Sequence, residues 1–263
     1  MQRKKPVEFL KKYGVKILAV CFWLLIWGGA SKVVGQDIIL SSPISVMTTL
    51  LDFLKTGQFW ETVAFSSVRI MAGFGLAFVM GILLAVISFQ NRLINEMVSI
   101  PMKVIKAMPM ASFIILCLIW IKSKNLSVFI SFFMVVPMFY TNVYQGLEDA
   151  DEKLLQMAKV FRIGRWKKIK AIYIPSIRPQ LISAITVGMG FCWKAGISAE
   201  VIGIPAGSIG VKLYEAKLYW MTKELFAWTF VIIAISLILE KTVMLVIGKL
   251  NREFEDKTET GEK

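Results

Sequence analysis

Residues 70–89 carry no charged side chain and are almost wholly apolar. At a rise of about 1.5 Å per residue, roughly 20 such residues cross the ~30 Å hydrocarbon core of a bilayer. Inside hydrocarbon every backbone N–H and C=O must be satisfied within the chain, so a lone stretch of this length has to be a helix. Three further stretches meet the same test: 17–31, extending through Val34 with Lys32 able to snorkel; 125–147, uncharged and containing Pro137; and 225–239, continuing past Glu240 and Lys241 to Gly248. Two more are interrupted. Residues 107–121 are short, with Pro109 near the start and Lys103 and Lys106 just before, and residues 181–204 contain Lys194 and Glu200. Broken or charged segments of this kind face protein or water rather than lipid. The expectation is an all-α polytopic membrane protein of six spans.

Composition agrees and excludes several functions. The chain is 56% hydrophobic and 19% charged, against about 25% charged in soluble domains. Its net charge of +13 comes from clustered basic residues, so nucleic-acid binding is not expected. With no histidine, histidine-ligated metals, Ser-His-Asp triads and Cys-His dyads are excluded. Cys21, Cys117 and Cys192 lie far apart inside apolar runs and read as small buried hydrophobes. No metal or cofactor is expected. Six spans place both termini on one side. That side collects 21 Lys and Arg residues, in the N-terminal segment, at Arg92, Lys103 and Lys106, in the loop after the fourth span and in the C-terminal tail, against eight opposite. The positive-inside rule then makes both ends cytoplasmic. The organisation expected is a cytoplasmic segment 1–16, a permeating domain 17–248 with a cytoplasmic loop at 148–178, and a tail 249–263. The first apolar run, followed by five more spans, is read as a span rather than a cleaved signal.

Two spans carry small residues four apart: Gly73, Ala77, Gly81 and Ala85 in the second, and Ala184, Gly188, Cys192 and Gly196 in the fifth. Small residues on one face let helix backbones approach closely, which is how helices associate where lipid offers no hydrophobic drive. The fifth ridge runs on to Glu200, either a pathway or gate carboxylate or a solvated residue near the external interface. Trp193 and Lys194 are further candidates for the pathway. Lys194 sits about 120° from Glu200 around the helix, so the two do not form an i,i+4 pair. Pro205, Gly207 and Gly210 mark a turn after the fifth span.

The loop at 148–176 reads as helix, with Leu154, Ala158 and Phe161, then Trp166, Ile169 and Ile172, at three- and four-residue steps. Acidic residues gather at its start and basic ones follow, as a helix dipole favours. Pro175 and Pro179 are expected to stop it before the fifth span. Its apolar face must cover itself with lipid surface or with a partner protein.

The run Gln156-Met157-Ala158-Lys159-Val160-Phe161-Arg162-Ile163-Gly164-Arg165-Trp166, with Ile172-Tyr173-Ile174-Pro175 after it, resembles the EAA loop of permease subunits of bacterial ABC importers. Ala158 takes the second Ala of that signature, and Ile172, Ile174 and Pro175 its close. Gln156 and Met157 stand where the family has Glu and Ala, and Arg162 stands at its Gly position, with Gly164 two residues later. Arg does not readily adopt the backbone angles Gly permits, so the resemblance leaves the geometry of this turn open. Trp193, Ala199-Glu200, the Gly207-Ser208-x-Gly210 turn and Glu215-Ala216 are similar in order and spacing to nitrate/sulfonate/taurine-type permeases, a likeness covering roughly residues 60–250. It implies a type I importer permease fold in the bacterial inner membrane. It also implies a homodimer with a second copy, a pair of ATPase subunits docked on the loops, and an external substrate-binding protein. Ala158, Phe161, Ile163 and Trp166 would seat in the ATPase, with Arg162 and Arg165 at its rim. The substrate implied is a small anion such as a sulfonate or nitrate, though relatives move vitamin or pyrimidine precursors. No GxxxxGK[ST] phosphate loop is present, so ATP hydrolysis falls to another chain. A self-sufficient channel or ion-driven carrier, using Glu200 and Lys194, is the alternative.

Overall fold

The computed structural model describes residues 5–259, with side chains described over residues 14–15 and 17–248. Among the described residues there is no strand. The helices run, in order, α1 (Lys5–Val34), α2 (Pro43–Leu54), α3 (Gly57–Gln90), α4 (Arg92–Ala107), α5 (Met110–Cys117), α6 (Ser123–Glu148), α7 (Glu152–Val160), α8 (Arg165–Lys168), α9 (Ile174–Gly203), α10 (Ile209–Leu218) and α11 (Thr222–Glu259). A π-helical turn, Ile169–Tyr173, joins α8 to α9. Five helical stretches are long and apolar enough to cross a membrane, and α4 with α5 makes a sixth candidate bent by 107°. The expected run 107–121 is therefore not one straight helix: it breaks at Met108 and Pro109, and only Met110–Cys117 is helical beyond the break. Proline lacks the N–H that would carry the ladder through, and it disfavours helical angles in the residue before it.

The chain divides into two compact units. One draws on the described part of Met1–Trp60 and on Lys212–Val231. Here Ser42 caps α2, its hydroxyl accepting from the Ser45 amide, and Pro43 takes the first turn, where no N–H is needed. Trp27 rests against Phe226 and Phe230, and Phe53 against Phe59 and Trp228. Ser31 Oγ donates to the Leu40 carbonyl at 2.9 Å, and the Thr222 hydroxyl donates to that of Ile38. Cys21 is exposed on α1, unlike the buried Cys117 and Cys192. An exposed apolar face on a spanning helix is a lipid-compatible surface, so apolarity alone did not place this cysteine in a core.

The larger unit, Glu61–Val211 with Ile232–Lys263, is built on α3, α6 and α9. Gly73, Ala77, Gly81 and Ala85 of α3 and Ala184, Gly188, Cys192 and Gly196 of α9 are all buried. A Cβ on Gly73 would stand 2.5 Å from the Val128 carbonyl oxygen, and one on Gly81 2.4 Å from Phe139 Cβ, so α3 lies directly on the α6 backbone. A Cβ on Gly196 would meet Ile70 Cγ1 at 2.4 Å and Ser131 Oγ at 2.6 Å. Cys192 Sγ lies 3.6 Å from the Ile70 carbonyl oxygen, and Ser131 Oγ donates to the Cys192 carbonyl at 3.4 Å. The three backbones thus meet along lines where side chains are reduced to a hydrogen, a methyl or a thiol. A second layer, Phe113, Ile114 and Cys117 of α5 with Leu126, Ile130 and Met134 of α6, packs beside Ala195 and Ala199.

Overpacking a tight contact costs about 1–3 kcal/mol. Gly73→Ala is expected to lower the thermal midpoint of the detergent-solubilised protein by several degrees. Gly75→Ala, two residues away with nothing within 4 Å of its Cβ position, is expected to leave it unchanged.

Candidate functional site

The segment after α6 is a small fold of its own. Asp151 caps α7, its carboxylate accepting from the Lys153 amide at 2.8 Å. At the other end the Ile163 amide donates to the Ala158 carbonyl at 2.9 Å and the Arg162 amide to that of Lys159 at 3.2 Å. That pair of bonds is the Schellman closure, which needs a left-handed residue just past the helix. Arg162 supplies it, with φ of +52°. Arginine is thus held in the conformation glycine adopts freely, because two backbone hydrogen bonds outweigh a local strain of about 1 kcal/mol. Ala158 is 3% exposed and packs with Ala150 and Ile172, beside Leu155 and Tyr173. It belongs to the loop's own core, not to its outer face.

The outer face holds Phe161, 72% exposed, and Trp166, 85% exposed. Gln156, Met157, Arg162, Ile163, Gly164 and Arg165 are also exposed, and Glu152, Gln156, Lys159, Ile163, Arg165 and Lys168 line a shallow groove between α7 and α8. Two large aromatic surfaces offered to water on a basic loop are unfavourable unless something covers them.

Pro175 and Pro179 do not stop the helix. Residues Arg165–Gly203 form one continuous helical stretch, with Pro175 in the first turn of α9. The proline ring would press on the carbonyl four residues back, Ala171, which lies inside the π-helical turn. There the amide of Ile174 reaches Ile169 instead, and the widened turn leaves room for the ring. The two spans are also held together at the base of the loop. Ser176 Oγ donates to the Gly146 carbonyl at 2.7 Å, a Cβ on Gly146 would lie 2.8 Å from Ile177 Cα, and Gln145 and Gln180 both donate to the Asp149 carboxylate. The end of α6 and the start of α9 are therefore tied to each other where the loop leaves and rejoins them.

A second cluster lies where α9 ends. Glu200 is fully buried, so it is not a solvated interfacial residue. Ser66 of α3 donates to Glu200 Oε2 at 2.7 Å and accepts from the Ile209 amide at 2.9 Å, while the Gly210 amide reaches the same carboxyl oxygen at 3.4 Å. Ile209 and Gly210 open α10, whose first amides have no partner within the helix. Glu200 therefore caps α10 from a different helix. Gly210 is obligatory here, since a Cβ would fall 2.3 Å from the Glu200 carbonyl carbon. Gly207, exposed with φ of +81°, supplies the left-handed residue of the turn, and Ser208 Oγ accepts from Val211. Arg69, the charged neighbour of Glu200, donates from Nε to Ser127 Oγ at 3.3 Å and lies 4.8 Å above the Phe65 ring. Ser66, Arg69 and Ser127 were not singled out by the sequence. One signal was available, because Arg69 stands four residues before Gly73, as Glu200 stands four after Gly196. Each small-residue ridge ends in an ionisable residue, one basic and one acidic.

Trp193 is fully buried, its indole N–H donating to the Ile232 carbonyl of α11 at 3.0 Å. It anchors α9 and faces no open space. Lys194 differs: it is exposed on a stripe of α9 with Ser183, Val187 and Phe191, next to the half-buried Ser198. An ammonium facing lipid near the middle of a span costs about 3 kcal/mol on insertion scales, whereas water or protein polar groups solvate it.

The helical order, the spans tied at the base of the loop and the capped α10 define a transport subunit, and the comparisons name its family. Residues 77–253 match the family described as "Binding-protein-dependent transport system inner membrane component", and the chain belongs to it. It is the permease subunit of a binding-protein-dependent ABC importer, a multi-pass protein of the inner membrane and not an enzyme; such permeases work with ATPase and substrate-binding proteins. The chain is 22% identical over 258 residues to the putative aliphatic sulfonates transport permease protein SsuC of Bacillus subtilis, covering 94% of this chain and 90% of that one. It is 23% identical over 232 residues to the bicarbonate transport system permease protein CmpB of Synechococcus elongatus, covering 84% and 83%. The fold is similar to that in the crystal structure of a bacterial ABC transporter for import of the acidic polysaccharide alginate, with a TM-score of 0.60 at 14% identity over 93% of this chain and 98% of that one. An amino acid ABC transporter with histidines gives 0.58 at 15% identity, over 79% and 96%.

Removing an acceptor from buried donors costs about 1–3 kcal/mol. Glu200→Ala is expected to lower the unfolding midpoint in detergent well below that of Glu200→Gln, whose carbonyl still accepts from Ser66 and Gly210. At the loop, Arg162→Gly is expected to slow hydrogen exchange of the Ile163 amide, whereas the β-branched Arg162→Val speeds it, because only the first relieves the left-handed strain.

Proposed function

We propose that two copies of this chain form the importer's pathway and that α7 and α8 seat in the partner ATPase. The observation that carries this is the presence of exposed aromatics, Phe161 and Trp166, on a loop whose two spans, α6 and α9, are held together through Gly146, Ser176 and Asp149. Buried aromatic anchors ringed by charge are the usual strong points of an interface, and Arg162 and Arg165 stand beside these two. Ala158 supports the anchors from within. ATP-driven closure of the ATPase pair then turns two spans in each permease copy. In this arrangement the segments 1–16 and 249–263 and the loop at 148–178 are cytoplasmic, and 17–248 is the permease domain.

The substrate is a small anion of the sulfonate, bicarbonate or nitrate kind. The names of the relatives favour it, as does Lys194, an ammonium on an open face of α9 in an otherwise sparsely charged span. Glu200, Gly207 and Gly210 hold the turn that follows α9, with Trp193 fixing the helix that carries Lys194.

Phe161→Glu and Trp166→Glu are each expected to abolish uptake of labelled sulfonate, bicarbonate or nitrate by proteoliposomes holding the full transporter, and to release the ATPase on purification. The permease should still insert and keep its unfolding midpoint. Uptake that survives both substitutions, or that proceeds without the ATPase, refutes the coupling role.

A further inference from the structure

Two ionisable side chains within the spans have no countercharge. Lys194 is exposed on α9 and Glu240 is half-buried on α11, and among the described residues neither stands in an ion pair. Arg69 and Glu200, by contrast, are already neighbours. Glu240 does not turn away from the protein. Its Oε1 lies against Gly190 of α9, where a Cβ would collide with it, and Ser236 Oγ donates to the same oxygen at 3.5 Å. Gly190 stands one turn before Lys194. Around α9, Trp193 falls about 60° to one side of Gly190 and Lys194 about 40° to the other. The Trp193 indole meets α11 at Ile232, so Lys194 sits at the margin between the face packed on α11 and the open stripe. The contacts run in opposite order along the two helices, 193 with 232 and 190 with 240, which makes the helices antiparallel. Side chains tilt toward the N-terminus of their own helix. Lys194 and Glu240 therefore lean toward each other over the same glycine.

We propose that Glu240 is the built-in counter-ion of Lys194: between turnovers the ammonium rests on this carboxylate, and a substrate anion takes the carboxylate's place. The inference rests on the anion reading of Lys194 above and adds the group that guards the site. Ionisable groups within spans pair with one another, and the other candidates are ruled out by position. Lys241 is exposed and directly follows Glu240, and adjacent residues on a helix do not face each other. Glu200 is taken up by Ser66 and Gly210 and lies about 120° around α9 from Lys194. A lysine side chain spans roughly one helical pitch of about 5.4 Å, which is the step from Lys194 back to Gly190. Only glycine at 190 leaves the carboxylate room to wait there. The exchange also selects: a solute enters when its own charge replaces that of Glu240, whereas a neutral molecule of the same size leaves the internal pair closed.

The test uses the full transporter. Lys194→Glu and Glu240→Lys are each expected to lower the unfolding midpoint in detergent by several degrees, and the two together to recover most of the loss. Should a reversed charge keep the permease from inserting, the neutral series Lys194→Gln, Glu240→Gln and both is read instead, the double variant losing less than the sum of the single ones. Losses that simply add, in whichever series inserts, overturn the pair. In proteoliposomes Glu240→Gln is expected to lower the KM for labelled sulfonate, bicarbonate or nitrate about five-fold, because the anion no longer competes with an internal carboxylate. Lys194→Gln is expected to cut the same uptake about ten-fold or more. A KM unmoved by Glu240→Gln overturns the exchange. Uptake untouched by Lys194→Gln, in a permease whose charge series still couples, refutes the anion reading and leaves only the pair.

Discussion

Close approach of helix backbones inside a solvent that does not drive helices together is the constraint on which the larger unit depends. Lipid is as apolar as leucine, so α3, α6 and α9 gain from contact only through dense packing and a few hydrogen bonds. The glycines at 73, 81, 188 and 196 make that density possible, and Ser131 and Cys192 add polar contacts where the backbones meet. Everything read as functional is carried by these three helices. The loop joins α6 to α9, the α10 cap draws Ser66 from α3 and Glu200 from α9, and Lys194 stands on α9.

Rigid packing and transport are compatible because the two ends of α9 are built differently. At one end a π-helical turn and two prolines follow a loop closed by a strained arginine. At the other, a buried carboxyl holds the first amides of the next helix. Between them α9 runs as one continuous helix to Gly203. The Arg162 turn shows how strongly the loop's shape is held. A left-handed conformation that glycine would adopt freely is kept by arginine, because the Schellman bonds to Ala158 and Lys159 and the burial of Ala158 against Ile172 require it.

The relatives extend this picture without enlarging it. At 22% and 23% identity they share a family with this chain. Lys194 is an exposed cation on an otherwise uncharged face of α9.

Five of the spans and the basic loop were legible in the amino-acid sequence, because hydropathy over some twenty residues and the placement of Lys and Arg are properties of local composition. The small-residue ridges were legible too, since helical periodicity alone puts 73, 77, 81 and 85 on one face. What lay beyond reach were relations between distant segments. That Glu200 caps α10 through Ser66, that Ala158 is interior while Phe161 and Trp166 are not, that Pro175 is absorbed by a π turn, and that residues 92–117 bend by 107° all depend on which surfaces meet. A one-dimensional pattern tells which face of a helix is small, apolar or charged. Only three-dimensional packing decides what that face touches, because contact energies are set by neighbours that may lie 134 residues away, as Ser66 and Glu200 do.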